Sequence, residues 1–154
     1  MKLFTLIISV CMVVILSAVL YAEEVQPIAI NNRAIGGSAL NEYTPGVENG
    51  AGANNIGLLI KTWGAVTWVD TSNEFFYIND GTGLKDGSMH IENDVESDNI
   101  GVRVSYSNLA TGSTINPPGK GDIVAVTCIS STVIINDTVQ PNLRPRQQSD
   151  ISYY

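Results

Sequence analysis

From Gly57 to Gly83 the chain reads GLLIKTWGAVTWVDTSNEFFYINDGTG, and its apolar residues fall in alternation or short runs rather than at helical spacing. Leu58, Ile60, Val66 and Val69 stand among Thr and Trp, which predicts one long strand. Gly64 interrupts its middle, as glycines do where a strand bulges or bends sharply. A second strand is predicted at Phe75 to Ile78, stopped by the turn signal Asn79-Asp80-Gly81. A third follows at Ile100 to Tyr106, where alternation sets Val102 and Val104 on one face and Arg103 and Ser105 on the other. Ile123 to Ile129 makes a fourth, with Val124 and Val126 inward. Val133 to Ile135 and Thr138 to Gln140 flank the turn pair Asn136-Asp137 as a hairpin or a broken fifth strand, and Pro141 marks an edge or exit. Five short strands with turn signals and almost no helix argue an all-β fold closed into a small barrel.

The segments between these strands have no such period. Residues 23–55 are rich in Gly, Asn, Ala and Pro and read as an extended arm. Its Ile28, Ile30 and Ile35 imply packing along the barrel surface or on a neighbouring molecule; a mobile linker is the alternative. Residues 84–99 read as a polar, acidic loop. Its carboxylates Glu92, Asp94, Glu96 and Asp98 fall at every second residue and partly imitate the first positions of a calcium loop. Asn99 stands where the turn glycine of such a loop belongs and Ser105 where its bidentate glutamate belongs, so a calcium site and a solvated acidic loop both stand as readings.

Residues 1–22 hold Lys2, an almost unbroken apolar run from Leu3 to Leu20, and small residues up to Ala22. That is the layout of a cleaved secretory signal peptide, although the run also approaches the roughly 20 apolar residues of a membrane anchor. Cleavage would leave residues 23–154, a chain long enough for one domain with its own core. Without Lys2, 7 basic residues of the original 8 face 15 acidic ones, a formal charge of −8 where the whole chain has −7. Such a charge repels nucleic acid phosphates and anionic membranes. Cys128 would be the one cysteine left, which excludes an intramolecular disulfide even in a secreted protein; its apolar surroundings predict a buried, inert thiol.

Catalytic patterns are lacking. The single histidine, His90, is expected on the surface beside the acidic loop, and there is no nucleophile elbow, zincin motif or phosphate loop. Asp86, Ser88 and His90 lie too close together in sequence to take up the contacts of a triad.

The phrases NNRAIGG, NNIGLLIKTWGAVTWVD, FFYINDGTGL, GVRVS, LATGSTINPP and LRPRQQSDI together resemble exported bacterial OB-fold domains, and more closely a little-characterised family of secreted OB-like domains often appended to larger surface proteins. The likeness covers about Ile56 to Asp150; Cys128 departs from it, standing where such strands usually carry the glycine of VTG. It implies a five-stranded OB-like Greek-key barrel over residues 56–150, with residues 151–154 as a tail and no established activity. Ligands of such barrels commonly lie across the second and third strands. The outward residues there would be Phe75, Tyr77, Arg103 and Ser105, bordered by Lys61 and Trp63, an aromatic platform beside cations. The expectation is therefore a non-enzymatic, secreted or surface-exposed module without a cofactor unless calcium is one, binding an uncharged glycan or extended peptide rather than nucleic acid. The alternative is a structural subunit whose arm adds to the sheet of another copy in an extracellular assembly.

Overall fold

The computed structural model describes residues 25–109 and 112–154; the apolar run of 1–22 and its expected cleavage lie outside them. The protein is all-β. The described residues form nine strands: β1 (Ile28–Ala29), β2 (Leu59–Asp70), β3 (Phe75–Asn79), β4 (Met89–Glu92), β5 (Val95–Asp98), β6 (Val102–Ser105), β7 (Ile123–Ile135), β8 (Thr138–Arg144) and β9 (Ile151–Tyr153). Seven make one mixed sheet in the order β1-β2-β3-β6-β8-β7-β9, while β4 and β5 make a separate hairpin. Strand β2 pairs with β7 as well as with β3, so the pairing through β2, β3, β6, β8 and β7 returns to its start.

That return depends on β2 changing partners. Leu59 to Ala65 pair with β7, and Ala65 to Asp70 with β3. Gly64 lies at the changeover, where a Cβ would come 2.7 Å from the Asn79 carbonyl carbon. Its role is close approach; the register irregularity expected there occurs later, between Val66 and Trp68. Alternating residues fill the interior: Ile60, Val66, Phe76, Ile78, Val102, Val104, Val124, Val126, Cys128 and Leu143 belong to one buried cluster. The departure at Cys128 leaves the strand regular, because Cys128 pairs in register with Ile60.

Several boundaries differ from the sequence expectation. Strand β7 runs unbroken to Ile135 and turns through Asn136 (φ 48) and Asp137 (φ 62) into β8, the positive-φ pair of a tight hairpin. Pro141 lies inside β8, not at its exit. Val139 turns its carbonyl away from β7 to accept the Glu48 N–H at 2.7 Å, and by alternation the backbone nitrogen of Pro141 faces that same side, where β6 pairs only from Asn142 onward, so its missing N–H breaks no ladder. The supposed acidic loop contains the β4–β5 hairpin, closed by Asn93 (φ 51) and Asp94 (φ 63). The supposed tail is β9, antiparallel to β7 at Val124 to Val126.

The arm lies on its own chain. Ile28 and Ala29 pair in parallel with Ile60 and Lys61, and residues 30–55 continue as a packed loop. Asparagines fasten it. Asn31 caps a short 3-10 turn (Asn32–Ala34) by accepting the Ala34 N–H at 3.0 Å. Asn32 is fully buried, donates to the Ile78 carbonyl at 3.0 Å and accepts from the Thr62 hydroxyl at 2.8 Å. Asn55 accepts from the Gly36 N–H and the Ser130 hydroxyl and donates to the Ala34 carbonyl. No helix among the described residues is long and apolar enough to cross a membrane.

Candidate functional site

The register of β3 and β6 sets Phe75 opposite Ser105 and Tyr77 opposite Arg103. All four project from the side away from the buried cluster, as alternation requires. They do not form an open platform. Tyr77 has no exposed surface, and the chain just before β4, at Asp86 and Ser88, lies over its hydroxyl. Its hydroxyl donates to Asp86 Oδ2 at 2.5 Å and lies 2.9 Å from Ser88 Oγ. Arg103 stacks on the Phe75 ring, with Cζ 3.7 Å from the centroid, and its Nε donates to Ser105 Oγ at 3.1 Å. Ser105 is buried and donates to Asn142 Oδ1 at 2.8 Å. The burial of Tyr77 and Ser105 corrects the expectation that all four are exposed, while Phe75 and Arg103 stay half-buried and stacked on one another.

A polar network that the sequence did not disclose lies at the open end of the hairpin. Ser88 donates its hydroxyl to Asp86 Oδ1 at 2.6 Å and accepts from Asn99 Nδ2 at 2.8 Å. His90 is half-buried rather than exposed: its ring stacks on Trp68 with centroids 4.1 Å apart, and Nδ1 lies 2.9 Å from Asn99 Oδ1. The histidine thus meets Asn99, not Ser88. The available signal was the Asn93-Asp94 dipeptide between MHIE and VESD, the same turn chemistry that marks Asn136-Asp137.

The hairpin also divides the carboxylates. Cross-strand partners share a face, so Glu96 lies with Ile91 and Asp98 with Met89, while Glu92 lies with Val95 on the other face and Asp94 sits in the turn. Glu92 is paired with Lys120 at 2.5 Å and Asp98 with Lys85 at 2.6 Å. Among the described residues no three His, Cys, Asp or Glu side chains are gathered as a metal site requires. Millimolar calcium is accordingly expected to leave the thermal midpoint unchanged, where binding to the folded state would raise it. A calcium-dependent rise removed by Asp94→Asn with Asp98→Asn would restore the calcium-loop reading.

Lys61 and Trp63 sit elsewhere, on the half of β2 that pairs with β7. Ile60 and Thr62 face inward with Val124 and Val126, so Lys61, Trp63, Ile123 and Ala125 face out. This outer surface forms the floor of a groove of about 560 Å³. Ala29, Ile30 and Asn31 make one rim, and Tyr154, following β9, makes the other. The groove follows from sheet geometry. Strand β1 stops pairing at Lys61 and β3 begins at Ala65, which leaves the intervening edge of β2 flanked by a turn instead of a strand. Trp63 stands opposite the small Ala125 and keeps 55% of its surface exposed, and Tyr154 keeps 80%. Lys61 has no ion-pair partner among the described residues.

Cys128 contributes nothing to either face. It is fully buried, and burial pushes its thiol from 9.0 up to about 12. Alkylation at pH 8, followed by peptide mapping, is expected to leave Cys128 unmodified in the native protein and to label it fully in denaturant. Rapid native labelling of Cys128 would mean that the β2–β7 seam opens far more often than its packing implies.

No protein-family model, no curated protein and no solved structure matches this chain.

Proposed function

We propose that the protein is a non-enzymatic, exported binding module built on an OB-like barrel, and that its ligand lies in the groove over β1, β2, β7 and β9. The observation that carries this reading is Trp63, held more than half exposed in a concave, largely apolar groove of a size usual for ligand sites. Export rests on the apolar run before Ala22. The barrel reading rests on pairing order: β2, β3, β6, β7 and β8, numbered as five in chain order, pair 1-2-3-5-4 and back to 1, with β6–β8 the one parallel pair of the circuit. A five-strand circuit that returns to its start supports the reading of an OB-like barrel. The groove lies on the seam of its first and fourth strands rather than on the second and third.

Two ligand classes suit an exposed indole on such a floor: an uncharged glycan stacking on Trp63, and an extended peptide. Nucleic acid is disfavoured, since a chain of net charge −7 brings a single lysine to the groove. The groove supplies Lys61 and Tyr154 as its titratable side chains and no paired acid and base.

Arrays of neutral glycans and of short peptides, probed with the protein and with Trp63→Ala, test the reading. Binding from either class is expected to fall about tenfold or more in the variant, the loss of one well-packed aromatic anchor, with the unfolding midpoint unchanged. Equal binding by Trp63→Ala, or tight binding of a single-stranded oligonucleotide at moderate salt, would overturn it.

A further inference from the structure

We propose that the occupant of the groove is an extended peptide segment carrying an acidic residue two positions from an aromatic or branched apolar one; this rests on the reading of the groove given above and decides between its two ligand classes. Polar groups are scarce at the groove. Asn31 Oδ1 is already the acceptor of the Ala34 N–H, and the Thr62 hydroxyl donates inward to Asn32. Around Trp63 the floor presents Ile123 and Ala125, and Ala29 and Ile30 line the rim. A neutral sugar laid there would leave several hydroxyls out of water without partners, each at a cost. Apolar peptide side chains meet no such penalty.

Charge then selects among peptides. Lys61 is the cation of the groove, half-buried and without an ion-pair partner among the described residues, in a chain otherwise dominated by carboxylates. The field of the whole chain repels anions in general, so the local complement of Lys61 is one carboxylate on an otherwise uncharged segment. Spacing completes the match. Lys61 and Trp63 are two residues apart on one face of β2, about 6.6 Å at the usual rise of a strand. Alternate side chains of a bound extended chain repeat at that same distance, so one residue meets Lys61 while the residue two away lies on Trp63. The floor is two strands wide between rims on β1 and β9, about three strand spacings or 14 Å across, enough for one extended chain with its side chains.

The test is selection from a display library of random linear peptides on the immobilised protein, with counter-selection on Trp63→Ala, alongside titration with neutral oligosaccharides. The retained pool is expected to be enriched in Asp or Glu two places from Trp, Phe, Tyr, Ile or Val. For a synthetic member, Lys61→Glu should weaken binding about fivefold, the upper range of a half-exposed ion pair, and reversing the charge on the peptide should restore it. A pool without acidic preference, or full affinity in Lys61→Glu, overturns the proposal. Trp63-dependent binding of neutral oligosaccharides with no retained peptides overturns it while leaving the groove as the ligand site. Failure of both ligand classes overturns the proposal and the groove reading together.

Discussion

Tyr77→Ala is expected to destabilise the fold by about 3 to 5 kcal/mol, the cost of truncating a fully buried aromatic. Tyr77 has no exposed surface, packs edge-on to Phe75 with centroids 5.8 Å apart, and bonds Asp86, itself only 6% exposed. Truncation removes the ring and leaves the carboxylate without this donor. Equilibrium denaturation is the measurement, and a loss below about 1 kcal/mol would show that Tyr77 is not buried in solution. Tyr77→Phe separates the hydroxyl from the ring and carries a pH signature. Burial first, and then the hydrogen bond to Asp86, push the phenol well above its ordinary 10.0. A raised folded value means that the unfolded chain ionises first. The contribution is whole below pH 10 and is lost as pH rises through that value towards the folded one. Wild type should therefore lose stability above pH 10 more steeply than Tyr77→Phe. Identical alkaline slopes would count against a buried, neutral phenol.

Asn32→Leu is expected to cost about 2 to 6 kcal/mol, although the replacement is apolar and close in size. Leucine can neither donate to the Ile78 carbonyl nor accept from the Thr62 hydroxyl, and each orphaned buried group costs about 1 to 3 kcal/mol. A second change tests the mechanism. Thr62→Val removes one orphan, so the double variant should lose less than the sum of the single losses, a positive coupling of the kind that contacting residues show. Strict additivity would mean that the Thr62–Asn32 bond does not hold the arm. Proteolysis within residues 36–55 should accelerate in Asn32→Leu as the arm loosens from the body. Asp80 takes part in the same anchor by accepting the Asn32 N–H at 2.8 Å. Burial pushes its carboxyl up, but the hydrogen bonds from Asn32 and Thr82 outweigh that and hold it below the usual 3.8. Its stabilising share is present above that value and is lost as the solution is acidified through the folded one.

The difference between an outward and an exposed side chain separates the legible from the illegible parts of this site. Strand alternation correctly turned Phe75, Tyr77, Arg103 and Ser105 away from Phe76, Ile78, Val102 and Val104. Alternation gives direction only. What lies over a direction is decided by another segment or by a cross-strand neighbour, here the chain at Asp86 and Ser88 for Tyr77 and Phe75 for Arg103. Lys61 and Trp63 were legible as outward residues too, but grouping them with the other four assumed that β2 keeps one neighbour along its length. Its change of partner at Ala65 places them on a different surface.

The sequence by itself determined the elements whose stability is local or periodic. Alternating valines set the strands around Val102, Val124 and Val126, and Asn136-Asp137 set the β7–β8 turn, because a two-residue period and a positive-φ pair act on neighbouring residues alone. Tertiary structure decided the arm, β9, the changeover of β2 and the groove. The arm has no period because asparagines fix it, and two of them, Asn32 and Asn55, bond groups that come near only after folding. Strand β9 is three residues long and exists through the edge that β7 offers it. The groove exists because β1 ends its pairing at Lys61 and β3 begins at Ala65, a gap between strands that no single stretch of sequence encodes.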